Sequence, residues 1–246
     1  MIPFIVGFCA ICIGGCIQGC IGFAFALVVV PPMMMVMEPE VVVPIIMILS
    51  VLNTSWVAVQ LRHEVIPGLV LPLLFGGVLG VPLGLYILTW PSLNDSMFKA
   101  GVGGAMIILG VFMMAGWRRP IKNQRAALLP VGFLSGVMNG SISICGPPVF
   151  LFLANQGIPK DTFRANIVTY FTLLNVVSLV LFARAGLLTG EVLSQSALFA
   201  PGLLVATYAG TRLAAHISQA VFGRITLVCV VAMGAVLLVR NTIALL

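Results

Sequence analysis

The chain has 246 residues, of which 61% are hydrophobic and only 7% charged, and its mean hydropathy is +1.21. A soluble domain carries about 25% charged residues, so a soluble fold is excluded and an all-α polytopic membrane protein is expected. The net charge of +6 comes from basic residues at segment ends, which points to orientation in a bilayer and not to nucleic acid.

The first hydrophobic segment runs from about residue 3 to 37. Its opening, "MIPFIVGFCAICIGGC", lacks a basic n-region and a cleavage pattern, so it is expected to be a membrane segment and not a cleaved signal. The segment is too long for one span of ~20 residues and too short for two. A glycine-containing break and Pro31-Pro32 divide it, which predicts a broken helical hairpin. Cys9, Cys12, Cys16 and Cys20 recur at spacings of three and four, on one helix face. Two readings stand: packing by small apolar side chains, or a soft-metal site, for which no His or carboxylate lies nearby. Disulfides within the stripe do not suit neighbours on one helix.

Three spanning segments follow, at about 41–62, 65–90 and 97–117. The first carries Asn53, Thr54 and Ser55 at mid-length and ends at Arg62 and His63, read as signals of topology. The loop "GWRRPIKNQR" holds Arg118, Arg119, Lys122 and Arg125. It is expected to be a basic cytoplasmic connector, residues 118–125, between a first membrane repeat, 1–117, and a second, 126–246.

The second repeat begins at about 126–157 with "NGSISICGPP", Asn139 to Pro148, polar and glycine-rich inside a greasy chain. The stretch is expected to be the unwound turn of a second hairpin. Pro147 and Pro148 suit the first turn of a helix, whose N-terminus would then face the turn with free N–H groups and partial positive charge. Asn139, Ser141 and Ser143 offer neutral donors, and Gly140 and Gly146 allow close backbone approach. A purely structural kink is the other reading. The first copy, "GFAFALVVVPP", puts Phe23, Phe25 and aliphatics where the second is polar, so an asymmetric site is expected.

The next segment, 161–185, carries Arg164 three residues after Asp161. Arg164 either snorkels or pairs with Asp161, or draws an oxyanion to the site by bidentate hydrogen bonding. Asn166, Thr169 and Tyr170 share a face, and Thr172 and Asn175 continue from Thr169 in steps of three. Packing hydrogen bonds and substrate contacts are both open for these, and for the paired Asn53 and Asn175. Gln18 and Gln60 are weaker candidates. Segments 190–215 and 221–243 complete the chain.

Four landmarks recur in order: Pro31 and Pro147, Asn53 and Asn175, Gly84 and Gly210, Gly110 and Gly234, at offsets of 116, 122, 126 and 124. Together they predict two homologous halves, each a broken hairpin plus three spanning helices, about eight hydrophobic segments in all. If each hairpin returns to its own side, the halves are inverted. Nine basic residues then fall inside (Arg62, Arg118, Arg119, Lys122, Arg125, Lys160, Arg164, Arg212 and Arg224) and three outside (Lys99, Arg184 and Arg240). Hairpins that cross instead give seven against five, so inverted repeats are expected. Broken helices in inverted repeats are a transporter plan with substrate near the midplane.

The stretch "GFLSGVMNGSISICGPPVFLFLANQGIPKDTFRANIVTYFTLLN" resembles the sulfite exporter TauE/SafE family of permeases. The features that match are Gly140, Gly146, Pro147, Pro148, Arg164 and Asn175, and the segment plan agrees over nearly the whole chain. The first half departs from the family's Gly-rich turn. The resemblance implies a permease for sulfite, organosulfonates or other small anions, located in a cell membrane, with a bacterial inner membrane expected. The expectation is a secondary transporter working by alternating access, with a channel-like anion pore as the alternative. Its partners would be the anion, the bilayer and a coupling ion, proton or sodium. No His-Glu-x-x-His, Gly-x-Ser-x-Gly or P-loop is present, so neither an enzyme nor a cofactor is expected. The expected substrate contacts are Asn53, Thr54, Asn139, Ser141, Ser143, Gly146, Pro147, Arg164, Asn166, Tyr170 and Asn175.

Overall fold

A computed structural model of the chain describes residues 2–21, 24–91, 94–115, 124–154, 156, 158–213 and 219–244. Phe23, the loop residues Arg118, Arg119 and Lys122, and His216 lie outside them, as does the expected boundary at 117/118. The described residues form helices α1 (Ile2–Ile21), α2 (Phe25–Met34), α3 (Pro39–Gln60), α4 (Pro67–Leu88) and α5 (Asp95–Ala115). They continue as α6 (Gln124–Ile142), α7 (Gly146–Ala154), α8 (Lys160–Arg184), α9 (Gly190–Leu213) and α10 (Gln219–Ile243). Helix starts follow local chemistry. Proline occupies the first turn of α3 and α4, where no N–H is needed. Asp95, Asp161 and Glu191 sit in the first turns of α5, α8 and α9, against the positive end of the helix dipole.

Among the described residues seven helices, α1, α3, α4, α5, α8, α9 and α10, are long and apolar enough to cross a membrane. The chain is a multi-pass membrane protein. In chain order the described helices run long, short, long, long, long, and then in the same order again.

Contacts between helices give their directions. Gly132 packs on Leu73, Gly136 on Gly77 and Gly140 on Val81, so α4 and α6 run in parallel. Gly15 packs on Leu203 and Gly19 on Thr207, so α1 and α9 also run in parallel. Helices α5 and α10 run antiparallel, with Gly103 on Leu238 and Gly110 on Val231 and Leu227. Helices α3 and α8 do likewise: the Thr172 hydroxyl donates to Thr54 Oγ1 at 2.7 Å, and the Thr162 hydroxyl to Glu64 Oε2 at 3.1 Å. The partners α1–α9 and α4–α6 therefore exchange between halves, while α3–α8 and α5–α10 pair like with like.

Small residues make the tight pairs. A side chain at Gly136 would run into the Gly77 backbone, the small-residue device by which membrane helices approach closely. The cysteine stripe belongs to the same kind of contact. Gly210 packs on Cys16, and the Cys20 thiol donates to Gly210 O at 3.1 Å. Cys9 is exposed.

The two short helices lie inside. In α2, Leu27 to Pro31, Met33 and Met34 are buried. In α7, Pro147, Pro148, Val149, Phe152 and Leu153 are buried. Non-helical backbone at membrane depth persists where protein buries it or where it lines a watery cavity; α2 packs against α1, α3 and α10, and α7 against α6 and α8.

Candidate functional site

Each hairpin breaks at a non-glycine residue with left-handed backbone: Ala24 at φ 85° and Ser143 at φ 56°. Such residues are uncommon and strained, and they cluster at functional sites. In the second hairpin the break is short. Ser135 Oγ donates to Cys145 O at 2.6 Å, tying the unwound chain to α6. Ser143 N still donates to Asn139 O at 2.9 Å, and α7 begins at Gly146. Prolines 147 and 148 therefore stand in the first turn of α7, as expected, leaving only the N–H groups of Gly146 and Val149 in that turn. The first hairpin differs. Pro31 and Pro32 lie inside α2, not at its start, because the left-handed turn at Ala24 sets the helix start at Phe25. Phe25 N donates to Gln18 Oε1 at 3.1 Å, so α1 caps the first arm with a side chain.

The two tips meet at a cavity of about 40 Å³. Gln18, Ala24–Leu27 and Ser143–Gly146 line it from the hairpins, Ser50, Asn53 and Thr54 from α3, and Phe171 and Asn175 from α8. Each hairpin brings one strongly polar side chain to the wall, Gln18 from the first and Ser143 from the second, among otherwise small or apolar neighbours. Asn53, Ser143 and Asn175 are 6%, 3% and 3% exposed. Asn53 Nδ2, Ser143 Oγ and Asn175 Oδ1 are buried with no hydrogen-bond partner. A buried polar atom left unpaired costs about 1–3 kcal/mol, and three residues that carry one line the same cavity. No carboxylate lines the cavity, so no negative charge of the protein faces an anion there.

A smaller cavity of about 20 Å³ adjoins it, sharing Gln18, Asn53 and Thr54 and adding Gly19, Val57, Arg164, Val168, Thr207 and Thr211.

Residues 6–237 match the family described as Sulfite exporter TauE/SafE. The chain belongs to the sulfite exporter TauE/SafE family. It is also similar to a protein of Cupriavidus necator named "Probable sulfite/organosulfonate exporter TauE", with 24% identity over 160 residues, 64% of this chain and 62% of that one. The chain thus matches less than two thirds of that relative's length. No solved structure matches.

In this TauE/SafE member, the residues singled out from the sequence fall into three groups. Asn53, Thr54, Ser143, Gly146 and Asn175 line the larger cavity. Arg164 lines the smaller one and makes no ion pair with Asp161, which is exposed. The others turn elsewhere. Asn139 donates to Ser178 Oγ at 2.9 Å. Ser141 donates to Val137 O at 2.8 Å. Asn166 accepts from Ile66 N at 2.8 Å and donates to Thr162 O at 2.6 Å, fastening the start of α4 to α8. Tyr170 is fully buried, its hydroxyl turned to Gly77 of α4. Pro147 is buried in the first turn of α7. Gly140 serves the approach of α6 to Val81, not an approach to a ligand.

The sequence reading left out Ser50, Phe171 and Ala24. Phe171 and Ala24 carry no polar signal. Ser50 stands three residues before Asn53 and four before Thr54, on their face of α3, and that spacing was the available clue.

Proposed function

We propose that this TauE/SafE member is a secondary transporter for a small sulfur-containing oxyanion, sulfite or a short organosulfonate. The larger cavity would be its substrate site. One observation carries the reading: Asn53, Asn175 and Ser143, from α3, α8 and the second hairpin tip, each with a buried unpartnered polar atom, line one cavity free of carboxylates. A water needs about 10–15 Å³ of such space, so about 40 Å³ takes roughly three oxygens, the size of a pyramidal oxyanion. The first turn of α7 adds backbone donors and dipole. The name of the Cupriavidus relative points to the same substrates.

Alternating access through inverted repeats is the mechanism we infer. Its support is that α3 and α8, and α5 and α10, which hold the same places in the two halves, run antiparallel. An axis along the membrane normal would leave such pairs parallel, whereas an in-plane axis reverses them. The larger cavity draws on both halves. We place the end bearing Arg62, Arg125, Arg164 and Arg212 in the cytoplasm, with a bacterial inner membrane as the setting and a proton or sodium ion as coupling partner. The unwound segment is then a substrate turn and not only a kink.

Flux in proteoliposomes tests the carrier. Labelled sulfite uptake should saturate and be accelerated by sulfite preloaded inside. Uptake linear in concentration, with no counterflow, would leave a pore instead.

A further inference from the structure

The buried apolar side chains of the described residues fall into two separate cores. The first is built by α1, α2, α3, α5, α9 and α10, through Ile11, Met33, Ile45, Met106, Phe199 and Leu237. The second is built by α4, α6, α7 and α8, through Leu73, Leu128, Val149, Leu153, Tyr170 and Leu174. Of the buried apolar residues of α4, α6 and α8, only Leu88, Ile142 and Phe182, near the C-terminal ends, join the first core. A core of its own is the mark of a separate body. The line between these two does not follow the sequence repeats. In an inverted pair of repeats, α1 to α5 are the counterparts of α6 to α10. The counterparts of α1, α2, α3 and α9 are then α6, α7, α8 and α4, the four helices of the second core. Each core so takes a hairpin and the helix after it from one half, and one spanning helix from the other. Helices α5 and α10 lean on the first.

The tightest contacts lie within these groups. Glycine locks each borrowed helix: α4 to α6 through Gly80 on Phe133 and Gly136 on Gly77, and α9 to α1 through Gly19 on Thr207 and Gly210 on Cys16. Each tip is tied to its own long arm, Phe25 N to Gln18 Oε1 and Ser135 Oγ to Cys145 O. Asn139 and Asn166 bond α8 to α6 and to the start of α4. Between the groups runs the α3–α8 seam. Neither of its helices contains a glycine. Side chains join them, Thr172 to Thr54 and the exposed Thr162 to Glu64, a surface on which packed helices can slide. Both cavities lie in this seam. Gln18, Asn53 and Thr54 line them from the first group. From the second group, Arg164, Val168, Phe171 and Asn175 of α8 follow at steps of four, three and four, one stripe along the seam.

We propose that the bodies that move during transport are these two interlocked groups and not the repeats 1–117 and 126–246. One body is α1–α3 with α9, carrying α5 and α10; the other is α4 with α6–α8. Movement at the α3–α8 seam separates the two hairpin tips and opens the cavities to one face and then to the other. This rests on the alternating-access reading and assigns its moving parts.

The test is spin-label distance measurement on the purified full chain in lipid nanodiscs, with and without saturating sulfite. The labels are gadolinium chelates held by thioether bonds, which sulfite does not cleave. They are placed in pairs on a background with all six native cysteines replaced. The sites are Ile5→Cys on α1, Leu83→Cys on α4, Leu129→Cys on α6 and Val205→Cys on α9, all at exposed side chains. Interlocked bodies predict that the pairs 5–205 and 83–129 keep their distances. The pairs 5–83 and 129–205 should shift by more than about 2 Å, beyond the small adjustments of packed helices. Bodies that follow the repeats give the reverse pattern, which overturns the inference and leaves the carrier reading standing. Four unmoved distances in protein that binds sulfite overturn the inference and alternating access with it.

Discussion

Ser143 combines the two features that define the cavity, a left-handed backbone and an unpartnered hydroxyl. Its substitutions separate them. Ser143→Ala removes the hydroxyl and keeps the backbone strain, whereas Ser143→Gly removes both, since glycine accepts φ 56° freely. A hydrogen bond to a charged partner contributes about 1.5–3 kcal/mol, and about 1.4 kcal/mol is a decade in affinity. Both variants should therefore bind sulfite about tenfold or more weakly, as measured by calorimetry. A loss in Ser143→Ala that glycine restores would assign the effect to the backbone. Asn166 is a contrasting case. Asn166→Ala should cost about 0.5–1.5 kcal/mol of stability by removing the part-buried hydrogen bond from Ile66 N–H, visible as a lower unfolding temperature, with sulfite affinity unchanged. At this scale the sequence was legible in kind and less so in direction. Asn53, Ser143 and Asn175 were visible because neutral polar residues at mid-segment are rare in a chain 61% hydrophobic. Rotation about the helix was not. The spacing 166–169–170 marks a real face of α8, but Asn166 and Tyr170 on it serve contacts with the α4 side. The cavity stripe 164–168–171–175 is hidden because Val168 and Phe171 are apolar.

At the scale of elements, the segment boundaries were legible because hydrophobic runs end at Pro, Gly and charge. The expected 65–90 and 190–215 correspond to α4, Pro67–Leu88, and α9, Gly190–Leu213. The interior of the hairpins was harder. Pro31-Pro32 and Pro147-Pro148 look equivalent, yet one pair lies within α2 and the other starts α7. The tips, Ala24 and Ser143, are offset by 119 residues and the proline pairs by 116, nearly one helical turn of difference. Glycine contacts carry a sharp prediction here. Gly136 abuts the Gly77 backbone, whereas Gly104 has open space beside it. Gly136→Leu should abolish monodisperse protein in gel filtration after detergent extraction, because two backbones must separate. Gly104→Leu should elute as the wild type does. Equal behaviour of the two would deny α4–α6 packing its structural role.

The molecule as a whole turns on sidedness. The connections at 61–66 and 158–159 belong to one end of the bundle, and those at 35–38 and 185–189 to the other. The helix directions support this arrangement, and under it the basic residues divide nine to three between the two ends. Residue 160 and residue 188, made cysteine on a background with all six native cysteines replaced, should label from opposite faces of the membrane, with 160 cytoplasmic. The opposite result, 160 external and 188 cytoplasmic, would return the chain to parallel four-span halves. The background itself tests the cysteine stripe, which should be dispensable for transport if it only packs α1 on α9. The central claim is that both halves build one oxyanion site, and it is tested most directly by saturation binding of radiolabelled sulfite to purified wild type, Asn53→Ala and Asn175→Ala. The account predicts one bound sulfite per chain in the wild type, and about tenfold weaker binding in each variant, the first altered in one half and the second in the other. Unchanged affinity in either folded variant would contradict it.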